Sequence, residues 1–160
     1  AFMVSEAERY DIKGRKYIGA DSKYYFEDPG IRNAILGFRQ VEFSHMMENV
    51  LYNELCARGY SVDVGLVEVW EKNEQGKMEH KILEVDYVIN RGSQRIYIQS
   101  AYMMPDQVKS AQEQRPLTKI SDSFRKVIIS GDNYGKFYND EGILRIGVFE
   151  FLLNVNCLDE

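Results

Sequence analysis

Only two cysteines occur in the sequence, Cys56 and Cys157. One falls in a helical pattern and the other in the tail, which argues against a disulfide framework and makes a reducing cytoplasm the expected location. No apolar run reaches the roughly 18 residues that a membrane-spanning helix needs, so no membrane partner is expected. Basic residues are not in excess: 25 acidic against 20 basic side chains give a net charge of −5. That balance argues against strong non-specific nucleic-acid binding, although a local basic groove is compatible with it. The opening AFMVSEAERYD lacks the apolar stretch and basic flank of a signal peptide. It reads as the middle of something longer, with residues 1–22 expected to be a linker and residues 23–160 a single domain. No internal repeat or low-complexity tract is present.

What remains is an ordinary globular composition, 44% apolar and 28% charged, in a chain of 160 residues that can bury one sizeable core. Lys23 to Phe26 suit a short strand. Asp28 then offers an N-cap and Pro29 a first helical position, predicting a short helix to about Leu36 that stops at Gly37. In VEFSHMMENVLYNELCARGY, the residues Phe43, Met47, Val50, Leu51 and Leu55 form one helical stripe, and Gly59 ends it. Glu48 falls on the flank of that stripe. YSVDVGLVEVWE and KILEVDYVIN, separated by a polar turn containing Gly76, propose a hairpin. QRIYIQSAYMM follows after RGS. Alternation puts Glu84 and Asp86 on one face, opposite Val85 and Tyr87. It likewise puts Tyr97, Gln99 and Ala101 opposite Ile96 and Ile98. PDQVKSAQEQRPL reads as a crossover helix, FRKVIIS as a buried strand, and ILRIGVFEFLLN as a strand running into a terminal helix. The order predicts an α/β fold, a mixed sheet flanked by helices.

Glu48, Asp86 and Gln99 are the candidate site. Phosphodiester cleavage needs hard oxygen ligands converging on Mg²⁺ and a base or electrophile beside the attacking water. These three side chains, aided by the Ser100 carbonyl, could supply such ligands at one edge of the sheet. His45, three residues before Glu48, and Glu54, near the middle of the apolar stripe, are rival ligands; the plainer readings are a lone surface histidine and a glutamate paired with a basic group. His80 beside Glu79 carries no more weight.

The spacing resembles the PD-(D/E)XK restriction-endonuclease-like and Holliday-resolvase-like fold. That family's first helix carries an acid, an apolar residue three on, a Leu seven on, and Gly–aromatic eleven and twelve on; Glu48, Leu51, Leu55, Gly59 and Tyr60 follow it. EVD at Glu84–Asp86 resembles the strand-two acid, and Gln99 stands first in (E/Q)-x-K. More closely, RYDIKGRKY, KYYFEDPGIRNAILGFR, EVDYV, YIQSAY and RPLTKISDSFRKVIIS are similar to the C-terminal domain of certain prokaryotic AAA-type ATPases, in which an ATPase module and a winged helix come first. The resemblance implies a restriction-endonuclease-like core, with the ATPase and winged-helix regions as partners in the same polypeptide.

The sequence departs from the family at Ala101, where the lysine belongs. Without that cation, nothing orients water or stabilises developing charge, and a neutral Gln99 weakens any Mg²⁺ cage. Lysine migrates in such folds, and Lys109 on the next helix is the candidate replacement. The expectation is therefore a catalytically degenerate nuclease-like module that binds nucleic acid or regulates the ATPase. Its alternatives are an active Mg²⁺-dependent DNA or RNA nuclease with a displaced lysine, or an assembly domain whose aromatic surface serves self-association or partner contact. GDNYGKF is a poor phosphate loop, with three residues instead of four between Gly131 and Gly135 and Phe137 in place of Ser/Thr; a surface turn is expected. KGRK at 13–16, Arg91 and Arg95 could contact phosphates. The eleven tyrosines, Tyr24, Tyr25, Tyr97 and Tyr102 among them, suit core or interface positions better than base stacking.

Overall fold

Asp28 caps a helix as its position predicts, accepting hydrogen bonds from Gly30 N at 2.7 Å and Ile31 N at 3.2 Å. Pro29 opens that helix, α1 (Pro29–Ile35), in a computed structural model that describes residues 3–39, 41–132 and 135–159. Before it lie β1 (Val4–Asp11) and β2 (Lys16–Phe26). After it, α2 (Phe43–Ala57) ends where Gly59 takes a φ of 81°, a left-handed conformation that glycine adopts without Cβ strain. The central hairpin is β3 (Ser61–Lys72) and β4 (Met78–Arg91), and a tight turn leads to β5 (Gln94–Ala101). Then α3 (Gln107–Thr118), capped by Asp106 through Lys109 N at 2.8 Å, crosses to β6 (Arg125–Ser130). A two-residue β7 (Phe137–Tyr138), β8 (Leu144–Gly147) and α4 (Val148–Leu153) complete the order. Asn133 and Tyr134 of GDNYGKF lie outside the described residues.

The strands form one mixed eight-stranded sheet in the order β2-β1-β3-β4-β5-β6-β8-β7. β1 runs parallel to β3, and β5, β6 and β8 are mutually parallel; the other pairings are antiparallel. The expected α/β class, a mixed sheet flanked by helices, is what the chain forms. Helices cover both faces. On one, Met47, Leu51 and Leu55 of α2 and Phe151 of α4 pack on Val62, Val64, Tyr87, Ile89, Ile98 and Ile129. On the other, Leu117 of α3 packs with Val67, Val85, Val88, Tyr97, Ala101 and Ile128.

Three expectations are corrected. The stretch assigned to a linker is strand: β1 and most of β2 lie within residues 1–22 and bury Ala7, Tyr10 and Ile12. Ala7 and Tyr10 belong to the cores on opposite faces, and the register shift against β1 puts extra residues into β2 between Ile18 and Lys23, so neither strand shows a plain alternation in the sequence. The α2 stripe is narrower than predicted, because Phe43 is 62% exposed and Val50 also faces out. Tyr52 fills its place, stacked on Tyr25 with ring centroids 4.0 Å apart.

The third correction concerns β4. Its pairing with β3 slips between Asp63↔Val88 and Gly65↔Val85, so Asp86 and Tyr87 together oppose Val64. Such a bulge re-aims the side chains around it. Val85 and Val88 therefore both belong to the α3-side core while Tyr87 joins the α2-side core, and Val85 and Tyr87 do not share a face.

Candidate functional site

The α2 side of the sheet gathers five charged groups from four elements. Asn49 on α2 behaves like a strip of backbone: its Oδ1 accepts from Phe26 N at 2.9 Å and its Nδ2 donates to Phe26 O at 2.6 Å. Asn53 Nδ2 donates to Phe26 O and Glu27 O, each at 3.0 Å. These bonds clamp the end of β2 against α2. Beside this clamp, Lys23, three residues before Phe26, meets Glu48, the residue before Asn49, with Nζ 2.6 Å from Oε1.

Lys23 is the hub. Its Nζ also lies 3.0 Å from Glu84 Oε1, and Glu84 Oε2 accepts from Arg9 Nη1 at 2.7 Å. Tyr25 OH donates to Glu48 Oε1 at 2.8 Å, and Tyr87 OH donates to the Glu48 carbonyl at 2.7 Å. Asp86 Oδ2 accepts from Ser100 N at 2.7 Å. A cavity of about 150 Å³, lined by Lys23, Tyr25, Arg32, His45 and Glu48 among others, opens beside the cluster.

Three carboxylates and two cations share this partly buried space, and the titrations of Asp86, Lys23 and Glu84 are displaced there. Burial and then the neighbouring Glu48 push the Asp86 carboxyl up to about 8, opposed by the Ser100 N–H and by Lys23. Burial pulls Lys23 down, but Glu48, Glu84 and Asp86 together outweigh it and raise the ammonium above its ordinary range. For Glu84, burial pushes up while Lys23 and Arg9 pull harder, leaving it below the usual carboxylate range. Burial, then Glu48, lifts the Tyr25 phenol far above its normal value, so it acts as a fixed donor.

Of the predicted site residues, Glu48 and Asp86 come together and Gln99 does not join them. Gln99 pairs with Ile128 in parallel register, and Ile128, Tyr97 and Ala101 all belong to the α3-side core. Paired residues share a face, so Gln99 points away from Glu48. Its Oε1 is buried with no hydrogen-bond partner among the described residues. Lys109 is engaged elsewhere, with Nζ 2.6 Å from Glu113 one turn along exposed α3. Glu54 pairs with Arg58 at 2.8 Å, His45 with Glu42 at 3.3 Å, and His80 with Glu68 at 3.5 Å, so none is an added ligand. Lys23, Arg9 and Tyr25 were missed. The signal available was the two-residue spacing of Lys23 and Tyr25 in a strand directly preceding the Asp28 cap.

The donor set does not fit Mg²⁺. Glu48 and Glu84 already serve an ammonium, Asp86 holds a proton near neutral pH, and Gln99 is on the other face. Among the described residues, no group of three His, Cys, Asp or Glu side chains could hold a metal ion.

No family model matches the sequence. No solved structure matches it either. It is similar to an uncharacterized protein of Haemophilus influenzae, 32% identical over 153 residues, which cover 96% of this chain. The same match covers 34% of the Haemophilus protein, so the chain spans about one third of that curated relative's length. Among the described residues, no helix is long and apolar enough to cross a membrane.

Proposed function

We propose that this chain is a nuclease-like module of the PD-(D/E)XK type in which an internal ammonium has replaced the metal, leaving a scaffold that binds nucleic acid or regulates an AAA-type ATPase of the same polypeptide. The observation that carries the reading is Lys23 Nζ, 2.6 Å from Glu48 and 3.0 Å from Glu84. A divalent ion entering there would have to displace the ammonium, stranding a partly buried cation without its carboxylates. Phosphodiester cleavage also needs a water-activating group facing the acids, and Gln99 and Ala101 face the other core. Support for the scaffold comes from the helix acid, the strand acid and the crossover helix, which follow the family's order. The ATPase role rests on the sequence resemblance alone.

The test is incubation with single-stranded, double-stranded and branched DNA and with RNA, in Mg²⁺ or Mn²⁺, alongside calorimetric titration with Mg²⁺. No cleavage and no saturable heat are expected. Metal-dependent product that disappears in both Glu48→Gln and Lys23→Met would instead make Lys23 the displaced catalytic lysine of an active nuclease. Lys109→Ala is expected to change nothing in either assay.

A further inference from the structure

A second polar cavity, of about 360 Å³, lies where the β4–β5 turn meets β1, lined by Tyr10, Arg15, Asn90, Arg95 and Phe124 and by the turn residues Gly92 to Gln94. Ligand pockets begin at about this size, roughly 300 Å³. Tyr10 and the β5 residue Tyr97 below Arg95 belong to the α3-side core, so the cavity is separate from the Lys23 cluster.

Its chemistry is specific. Arg95 has no carboxylate within ion-pair distance among the described residues, yet it is held in place. Nε donates to Asn90 Oδ1 at 2.8 Å and Nη1 to Tyr10 OH at 3.2 Å. The guanidinium carbon lies 4.9 Å from the Tyr10 ring centroid and 5.7 Å from that of Phe124. A guanidinium whose hydrogen-bond partners are neutral keeps donors and charge for a ligand and loses little freedom on binding one. Arg15, an exposed residue in the β1–β2 turn, likewise makes no ion pair among the described residues. Phe124 offers a ring 40% exposed beside these two cations. Asp122 accepts from Tyr97 OH at 2.7 Å and Asp63 from Tyr17 OH at 3.1 Å; Asp63 also attracts Arg95 electrostatically without reaching ion-pair distance.

We infer that this cavity binds a phosphate attached to a planar base, with Arg95 and Arg15 on the phosphate and the base laid against Phe124. Unpaired guanidinium groups recognise phosphate oxygens through paired N–H donors, and an exposed aromatic ring supplies a stacking platform that any base can use. Two sources share this chemistry, a free nucleotide and a single-stranded nucleic acid. The inference does not depend on the acid cluster, because no residue of that cluster lines the cavity.

The test is fluorescence anisotropy of a labelled oligothymidine and calorimetry with AMP, on the chain and on Arg15→Ala, Arg95→Lys and Phe124→Leu, with folding of each checked by circular dichroism. Among the described residues Arg15 makes no side-chain hydrogen bond or ion pair, so Arg15→Ala probes the site without a folding change. At least one of the two probes is expected to bind, and each substitution to weaken it about tenfold, the size of one lost charge-assisted bond or stack. Binding of AMP as tight as that of the oligomer points to a nucleotide site. Binding confined to the oligomer, with a salt slope reduced by about one in Arg15→Ala, points to single-stranded nucleic acid. Absence of binding by both probes, or binding unchanged in all three variants, overturns the inference.

Discussion

Replacing Lys23 by Met keeps the length of the stem and removes only the ammonium, and so isolates the charge at the hub. Two unit charges about 3 Å apart attract by about 5–6 kcal/mol at an effective dielectric near 20. Desolvation takes back much of this. Removing one member of a fully buried pair costs about 3–5 kcal/mol, and of an exposed pair about 0.2–1 kcal/mol. The Lys23 side chain is 29% exposed, its partners Glu48 and Glu84 14% and 35%, so the site lies between these limits. Lys23→Met should therefore lower the unfolding free energy by about 2 kcal/mol at pH 7.5, read from urea denaturation. In a Glu48→Gln background the same substitution should cost less, by about 1 kcal/mol of coupling. Lys109→Met is the control, because Lys109 is 47% exposed, pairs among the described residues with Glu113 alone, one turn away on its own helix, and such i,i+4 pairs contribute about 0.3–0.5 kcal/mol. A loss for Lys23→Met no larger than that of the control would refute the account of the cluster as a cooperative, partly desolvated unit.

Asp86 makes stability depend on pH. Its carboxyl is raised from 3.8 to about 8 in the folded chain, so between those values the folded state holds a proton that the unfolded state has lost. Stability should fall as pH rises through this window, by at most about 1.4 kcal/mol per pH unit, and Asp86→Asn should flatten the profile. A profile unchanged by Asp86→Asn would contradict the assignment. Gly65→Ala should destabilise by about 1–3 kcal/mol through overpacking, measurable as a lowered Tm. An added Cβ there would stand 2.8 Å from both Ile12 Cδ1 and Val88 Cγ2.

Much of this architecture was legible in the sequence, because long elements announce themselves through caps and periods. The α1 cap, the α2 helix with its Gly59 stop, the β3–β4 hairpin and the α3 crossover all follow from local chemistry. The site was half legible. Glu48 and Asp86 could be found because a helix flank and a strand face are each read within one element. Lys23 could not be found in that way, since its partners lie 25 and 61 residues further along and meet it only through tertiary packing. Gln99 was placed beside Asp86 by counting twos along both strands. One extra residue in β4, opposite Val64, changes which side chains share a face, and a bulge of one residue leaves no trace in hydrophobic alternation. β1 was concealed for a different reason: its buried residues Ala7 and Tyr10 face opposite cores, so no single apolar face identifies the strand.

The placement of β1 and β2 at the sheet's margin bears on how the protein opens. Among the described residues this ribbon meets the remaining strands through three paired positions, Arg9 to Asp11 against Val64 to Leu66, continued by Ile12 N donating to Leu66 O. Few ladder bonds at a margin define a segment able to detach while the rest of the fold persists. Two of the residues that hold it down, Arg9 and Lys23, do so by ion pairing to Glu84 and Glu48. The seam is thus fastened electrically as much as by packing. Salt, which leaves the inner strands nearly untouched, should loosen this ribbon first, and amide exchange along Val4 to Phe26 would then quicken ahead of exchange in β4 and β5.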